Sequence, residues 1–250
     1  MIMDRMLYIA MSGAKENFHG IALHGNNLAN ASTTAFKADL EQARTINAYG
    51  PGFKSRAFSM TERPGYNLES GTLMTTGRDL DLAVRGDGYF AVQDRNGAEA
   101  YTRNGSLTID ENGVLKTSGG QILLDDSGNE IVLPVPLDKV SINNDGVISG
   151  RPAGADITIV EEFAQIKLVK IPDNLTVKGA DGLFRPADGG TVPFNDEVGV
   201  VGGALEASNV NVVHEMTSII SLQRQFDMQL KMMRNAEQND EAQNSLLRMS

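Results

Sequence analysis

The chain has no cysteine among its 250 residues. That excludes a disulfide framework, a thiolate metal site and a cysteine nucleophile. It has no tryptophan, and only 6% of its residues are aromatic. It lacks any excess of positive charge, with a formal net charge of −10. Nucleic acid and anionic membrane surfaces are therefore not expected as main partners, because both demand a basic face. No apolar run approaches the roughly 20 residues that cross a bilayer, so membrane insertion is not expected. The opening Met1-Ile2-Met3-Asp4-Arg5 has neither the basic start nor the unbroken apolar stretch of a secretory signal. If this chain leaves the cytoplasm, it is expected to do so without a cleaved signal.

Catalytic constellations are lacking too. The pattern Gly86-x-Gly88 has Ala91 where a dinucleotide fingerprint needs its third glycine, and no helical pattern follows. Asn143-x-Asp145-Gly146 begins like a calcium loop, but Pro152 stands where the twelfth-position glutamate belongs. It reads as an Asx turn. His19 and His24 are five apart, on different faces of a helix, and do not converge on one metal. The third histidine, His214, is far away in sequence. The pairs Asp79/Asp81 and Asp125/Asp126 read as solvated faces rather than acid–base pairs. No nucleophile-elbow or zinc-protease spacing occurs. No catalytic residue, cofactor or metal ligand is assigned.

What the chain does have is rhythm at both ends. Near the start, Leu7, Met11, Ala14, Phe18, Ile21, Gly25 and Leu28 alternate in steps of four and three. That is the seam of a coiled coil, although an ordinary amphipathic helix on a globular core remains a competing reading. Gly13, Gly20 and Gly25 weaken such a helix by roughly 1 kcal/mol each, and let another backbone approach closely. From Asn26 onward Asn, Ser and Thr compete with the helical backbone, which predicts a helix end between Asn30 and Thr34. Phe36 is then an apolar residue on a departing extended segment, free to anchor on a neighbour.

At the far end, Asn211 is a good N-cap and Glu215 supplies first-turn negative charge. Val212, Met216, Ile219, Gln223, Phe226, Leu230 and Met233 then keep the four-three rhythm. Gln223 is a polar member of that seam, suited to fixing register or partner. The polar run Asn235 to Asn244 is expected to fray.

The middle carries turns. Gly50-Pro51-Gly52 and Arg63-Pro64-Gly65 punctuate residues 38–80, where Glu41–Arg44 is compatible with a short helix. The rest of that connector is an extended arm or a solvated loop. Its basic Lys54, Arg56 and Arg63 suit an acidic face on another subunit. Beyond it, Leu80 to Val84 alternates at period two. Asn96-Gly97, Asn104-Gly105, Asn112-Gly113, Ser127-Gly128 and Asp145-Gly146 recur between short β-prone runs. These are strong hairpin signals and predict an antiparallel β domain. The expected class is α+β, with two heptad ends around a hairpin-rich middle and no catalytic set. Such a chain suits an assembly subunit better than an enzyme.

Several of these stretches resemble one family. Asn26-Asn27-Leu28-Ala29-Asn30-x-x-Thr33-x-x-Phe36-Lys37 looks like the N-terminal signature of the flagellar basal-body rod and hook proteins. Gly77-Arg78-Asp79-Leu80-Asp81-Leu82-Ala83-Val84-x-Gly86-Asp87-Gly88-Tyr89-Phe90 and Tyr101-Thr102-Arg103-Asn104-Gly105 resemble its middle. Asp181-Gly182-Leu183-Phe184 resembles a turn of the family. Ser208-Asn209-Val210-Asn211-x-x-x-Glu215-Met216-x-x-Ile219-x-x-x-Gln223-Arg224-x-Phe226 resembles its C-terminal signature. Asp4-Arg5-x-x-Tyr8 leans toward proximal rod members. Two departures stand out. Ala35 replaces a usual glycine, which strains the backbone if a positive φ is needed there. Val212 replaces a usual proline.

The resemblance implies a structural subunit of the rod, the shaft that crosses the periplasm and transmits torque. It implies N- and C-terminal helices in an antiparallel coiled-coil-like pair, packed on neighbouring axial subunits, with the β domain outside them. It also implies delivery by the flagellar type III export apparatus. The expected parts are an assembly helix and signature at 1–37, a connector at 38–80, a β domain at 81–205 and a second assembly helix at 206–250. The expected assembly interface comprises Leu7, Met11, Phe18, Ile21, Leu28, Asn30, Phe36, Val212, Met216, Ile219, Gln223, Phe226, Leu230 and Met233. Competing readings are a distal rod or other axial paralogue, a surface adhesin using Arg85-Gly86-Asp87, and an enzyme with an unrecognised site.

Overall fold

The computed structural model of the protein describes residues 3–47, 57–62, 65–154 and 161–248. Helix α1 spans Met3–Ala29 and helix α2 spans Val212–Arg248. Between them run β1 (Gln42–Asn47), β2 (Ala57–Glu62), β3 (Leu73–Thr75), β4 (Leu82–Arg85), β5 (Tyr89–Gln93) and β6 (Glu99–Thr102). There follow β7 (Leu107–Ile109), β8 (Leu115–Thr117), β9 (Ile122–Leu123), β10 (Leu137–Ile142), β11 (Val147–Pro152) and β12 (Glu161–Gln165). The series ends with β13 (Leu168–Val169), β14 (Thr176–Lys178), β15 (Phe184–Pro186), β16 (Gly199–Gly202) and β17 (Ala204–Glu206). All strand pairs among the described residues are antiparallel. The class is α+β, as the sequence predicts.

The chain forms two compact units. One contains residues 1–31, 39–67 and 210–250; the other contains residues 32–38 and 68–209.

The first unit holds α1, α2 and the β1–β2 hairpin. α1 stops at Ala29, one residue before the predicted window. There Asn30 turns its side chain back to donate to Asn26 O at 2.9 Å, offering the last carbonyls a partner outside the helical ladder. α2 starts where predicted, with Asn211 Oδ1 accepting from His214 N at 3.1 Å as an N-cap. Two expectations are corrected. Residues 42–44 lie on β1 rather than on a helix, because Gln42 to Asn47 pairs in full register with Glu62 to Ala57. The polar run from Asn235 does not fray: α2 continues to Arg248. Ala, Glu and Gln in that run are good helix formers, and Ala236 is buried. Gly50-Pro51-Gly52, the segment from Phe53 to Arg56 with its Lys54, and Arg63-Pro64 lie outside the described residues.

The second unit is the predicted antiparallel β region. Its largest sheet runs β14-β15-β6-β5-β9-β8-β7, with β13 also on β5. Smaller sheets join β10-β11-β12, β16-β4 and β17-β3. The main core gathers Leu82, Phe90, Val92, Leu107, Leu115 and Leu123. A second cluster surrounds Tyr89, Tyr101, Val169 and Phe184. The period-two reading of Leu80–Val84 is corrected, since Leu82, Ala83 and Val84 are all buried. Asp81 is not on a solvated face either: it is buried, with Oδ1 3.5 Å from Arg78 Nη1.

Four of the Gly-containing turns behave as hairpin turns. At Asp145-Gly146, for example, Gly146 N donates to Asn143 O at 3.1 Å, and Asn143 Oδ1 accepts from Asp145 N at 3.0 Å as the expected Asx turn. Asn104-Gly105 is different. It joins β6 to β7, which do not pair with each other. Gly105 is needed for closeness: an added Cβ would lie 1.9 Å from Leu82 O.

Candidate assembly surface

Within the first unit, α1 offers its small residues to α2. An added Cβ on Gly13 would meet Gln229 Nε2 at 2.7 Å, and one on Gly20 would meet Leu222 Cδ1 at 2.9 Å. Asn27 Nδ2 donates to Glu215 Oε1 at 3.4 Å. Positions 13, 20 and 27 thus face 229, 222 and 215. One series climbs by sevens while the other descends, so the helices run antiparallel. Among the described residues, Ala10, Ala14, Leu23, Asn27, Glu215 and Ala236 are the buried side chains of the two helices.

Large apolar side chains take the other faces. Leu7, Tyr8, Met11 and Phe18 are exposed on α1, Phe18 by 63%. Val212, Val213, Met216, Ile220, Met228 and Met232 are exposed on α2, Val213 by 70%. Of the expected interface residues, Leu7, Met11, Phe18, Val212, Met216 and Gln223 are exposed. Ile21, Leu28, Asn30, Phe36, Ile219, Phe226, Leu230 and Met233 are half-buried. Among the seam residues read from α1, Ala14 alone is buried. The inner line is instead the glycine series, whose seven-residue spacing was legible but overshadowed by the larger residues beside it.

A polar cluster closes the end of this helix pair. His24 Nδ1 lies 2.5 Å from Glu215 Oε2, and its Nε2 lies 3.0 Å from Glu41 Oε2. Asn27 clamps the backbone of Asp39 twice, accepting from Asp39 N at 3.0 Å and donating to Asp39 O at 2.9 Å. His24 was read only as a failed metal ligand. Its partners come from positions 41 and 215, and no local pattern connects them.

In the second unit the stretch Ser32–Ala38 carries a buried ion network. Lys37 Nζ lies 2.7 Å from Glu206 Oε1 and donates to Glu69 O at 2.7 Å. Arg103 Nε donates to Glu206 Oε2 at 2.7 Å, and its Nη2 reaches Gly86 O at 2.9 Å. Gly71 N adds a bond to Glu206 Oε1 at 2.9 Å. Lys37 and Glu206 are each 1% exposed. Burial pushes the Glu206 carboxyl up, but the Arg103 and Lys37 charges outweigh it and hold it below the usual carboxylate range. Lys37 moves down from its usual value because burial prevails over the Glu206 and Asp87 carboxylates, with Arg103 repelling it.

Two residues of the same stretch answer earlier expectations. Ala35 has a φ of 57°, so it does occupy the left-handed region in which glycine is usual. Phe36 is not free: the Lys178 ammonium sits 4.0 Å from its ring centroid, a cation–π contact within the unit.

The described residues include no helix long and apolar enough to cross a membrane. They include no group of three or more His, Asp or Glu side chains arranged to hold a metal.

Residues 83–150 match the model of the flagellar hook protein FlgE/F/G D1 domain, and residues 201–246 match the C-terminal model of the flagellar basal body rod FlgEFG proteins. A flagellar basal-body rod protein FlgF of Salmonella typhimurium is 35% identical over 99% of this chain and all of its own length. The chain belongs to the flagellar basal-body rod protein family. The FlgF of Escherichia coli is 34% identical with the same coverage. The FlgG of Bacillus subtilis, a paralogue, is 32% identical over 94% of this chain and 96% of its own. The protein is thus a structural subunit of the rod in the basal body and not an enzyme. Most of the buried framework described above falls within the matched segments or in the stretches that carried the resemblance.

Proposed function

We propose that α1 and α2 form a coiled-coil-like antiparallel pair whose outer apolar faces pack on neighbouring axial subunits in the proximal rod. The observation that carries this reading is an inversion of size. Apart from Leu23 and Leu222, small and polar side chains mark the inner side of the two helices, while Phe18, Met11, Val213 and Met216 are exposed. A single soluble domain gains by burying its largest apolar groups first, at roughly 1.5–3 kcal/mol each. A subunit that must bind others keeps them available. Leu7, Met11, Phe18, Ile21, Leu28, Asn30, Val212, Met216, Ile219, Gln223, Phe226, Leu230 and Met233 form the proposed interface. Phe36, half-buried in the second unit, is proposed as a further contact with a neighbouring subunit. Many repeated contacts of this kind spread torque along the shaft as it crosses the periplasm. Delivery by the flagellar type III export apparatus belongs to the same reading.

The test is substitution on the exposed face. Phe18 and Met216 are each more than half exposed, so Phe18→Asp and Met216→Asp are each expected to alter the stability of the free protein by no more than about 1 kcal/mol. Both are expected to remove the protein from purified basal bodies and to abolish motility. Normal rods carrying either variant would refute the proposed interface.

A further inference from the structure

We propose that the His24–Asn27–Glu41–Glu215 cluster is a register lock, which allows α1 and α2 to pair in one alignment only. The remainder of the helix contact does not specify alignment well. Its repeat is seven residues on both sides, with Gly13, Gly20 and Asn27 against Gln229, Leu222 and Glu215. A slide of one heptad again sets a glycine against a longer side chain: Gly13 would meet Leu222 in one direction or Ala236 in the other. Small residues accept either partner, so packing alone separates these alignments weakly.

The cluster separates them strongly. In the observed alignment both ring nitrogens of His24 face carboxylate oxygens, at 2.5 Å to Glu215 and 3.0 Å to Glu41. The Asn27 amide meets Glu215 while holding the Asp39 backbone. The slide that brings Gly13 to Ala236 puts Leu222 opposite Asn27 and His24, and the slide that brings Gly13 to Leu222 moves Glu215 opposite Gly20. Either slide leaves Glu215, which is 6% exposed, without its histidine. Buried polar groups deprived of partners cost far more than a changed apolar neighbour. Glu41 extends the lock beyond the helices. It reaches His24 from just before β1, and its carboxylate covers Gly20, where an added Cβ would meet Oε1 at 2.8 Å. The chain leaving α1 toward the hairpin is thereby tied to the same alignment.

Register decides how the outward side chains of the two helices line up along the pair, so the lock rests on the assembly reading for its use. The assay below reads alignment in the isolated chain and can fail while that reading stands. The absence of native cysteine makes introduced thiols unambiguous. Gly13→Cys is combined with Gln229→Cys for the observed alignment, and with Leu222→Cys or Ala236→Cys for the two slipped ones. Each full-length double variant is oxidised, and the bridged fraction is measured. The expected result is efficient bridging of 13 to 229, and at least tenfold slower bridging of the slipped pairs. With His24→Leu and Glu215→Leu added, the slipped pairs are expected to bridge at rates comparable to the 13–229 pair. The single variant His24→Leu, a milder change, is expected to move in the same direction. Equal bridging of all three pairs without the leucine changes would overturn the lock. So would leucine variants that lose helix without gaining slipped bridges, because the cluster would then stabilise the pair without choosing its alignment.

Discussion

Glu206 answers two bases at once, and its removal has no mild version. Glu206→Gln leaves Lys37 and Arg103 buried without their anion. The expected cost is about 3–5 kcal/mol, read from the urea midpoint of the β unit. Acid should produce a graded form of the same loss. Glu206 is held low, so its contribution is complete above the ordinary carboxylate range near pH 4–5 and drains as pH falls through the lower folded value. Asp110, held low first by Lys116, and Asp181, held low first by Arg185, act in the same direction. The melting temperature of the β unit is expected to fall on acidification below about pH 4, and less steeply in Glu206→Gln. Ala35 gives a second test. A β-branched side chain fits poorly at a φ of 57°. Ala35→Val is expected to destabilise by about 2 kcal/mol or more, whereas Ala35→Gly lies between neutral and about 1 kcal/mol more stable in the same titration. The suspicion about Ala35 was legible because a glycine is usual there. The ion network was not, since nothing local pairs positions 37, 103 and 206.

Elements were more legible than their faces. The four-three rhythm located both helices, the polar run after Asn26 and the Asn211 cap placed two of their ends to within a residue, and turn signals located most hairpins. The rhythm did not say which stripe of a helix its own partner would take. Large residues dominate any pattern of hydrophobicity, and here they were the ones left outside. The strand reading failed similarly at Leu82–Val84, because alternation implies one covered face and this strand is covered on both. Gly105 separates two roles that look alike in sequence. In a hairpin turn, alanine would be strained by its φ. Here it would strike the Leu82 carbonyl, which belongs to the backbone and cannot rotate away. Gly105→Ala is expected to cost about 2–3 kcal/mol of β-unit stability, measured by chemical denaturation. Recovery of full stability in that variant would mean that the two segments separate at little cost.

At the scale of the whole molecule, the two units differ in how they are held. The β unit has a continuous core of large apolar side chains. The helix unit joins small residues to a polar cluster and leaves much of its apolar surface in water. Local stability follows buried apolar contact. Two thermal transitions are therefore expected in the free protein: loss of the far-ultraviolet helix band first, then loss of the tyrosine near-ultraviolet signal of the β unit. A single coincident transition would show the two units to be energetically one. The division also explains a limit of sequence reading. Contiguous segments suggest contiguous parts, but residues 32–38 belong with the β strands while residues 39–67 belong with the helices.

The network around Lys37 has one more consequence. The chain passes into or out of the β unit at residues 31–32, 38–39, 67–68 and 209–210. Inside that unit, residues beside the last three of these passages are bonded to one another. Ala38 N donates to Asn209 Oδ1 at 2.8 Å, Asn209 Nδ2 to Glu69 O at 3.0 Å, and Lys37 Nζ to Glu69 O at 2.7 Å. The unit thereby ties its own chain ends to one another, and that is a tied neck only in the sense of its covalent path. Chain beyond a tied neck can be lengthened, shortened or exchanged over evolutionary time without disturbing what lies on the near side. Within the unit, the exposed hairpin tip Ser127-Gly128 is a natural place to graft a foreign peptide.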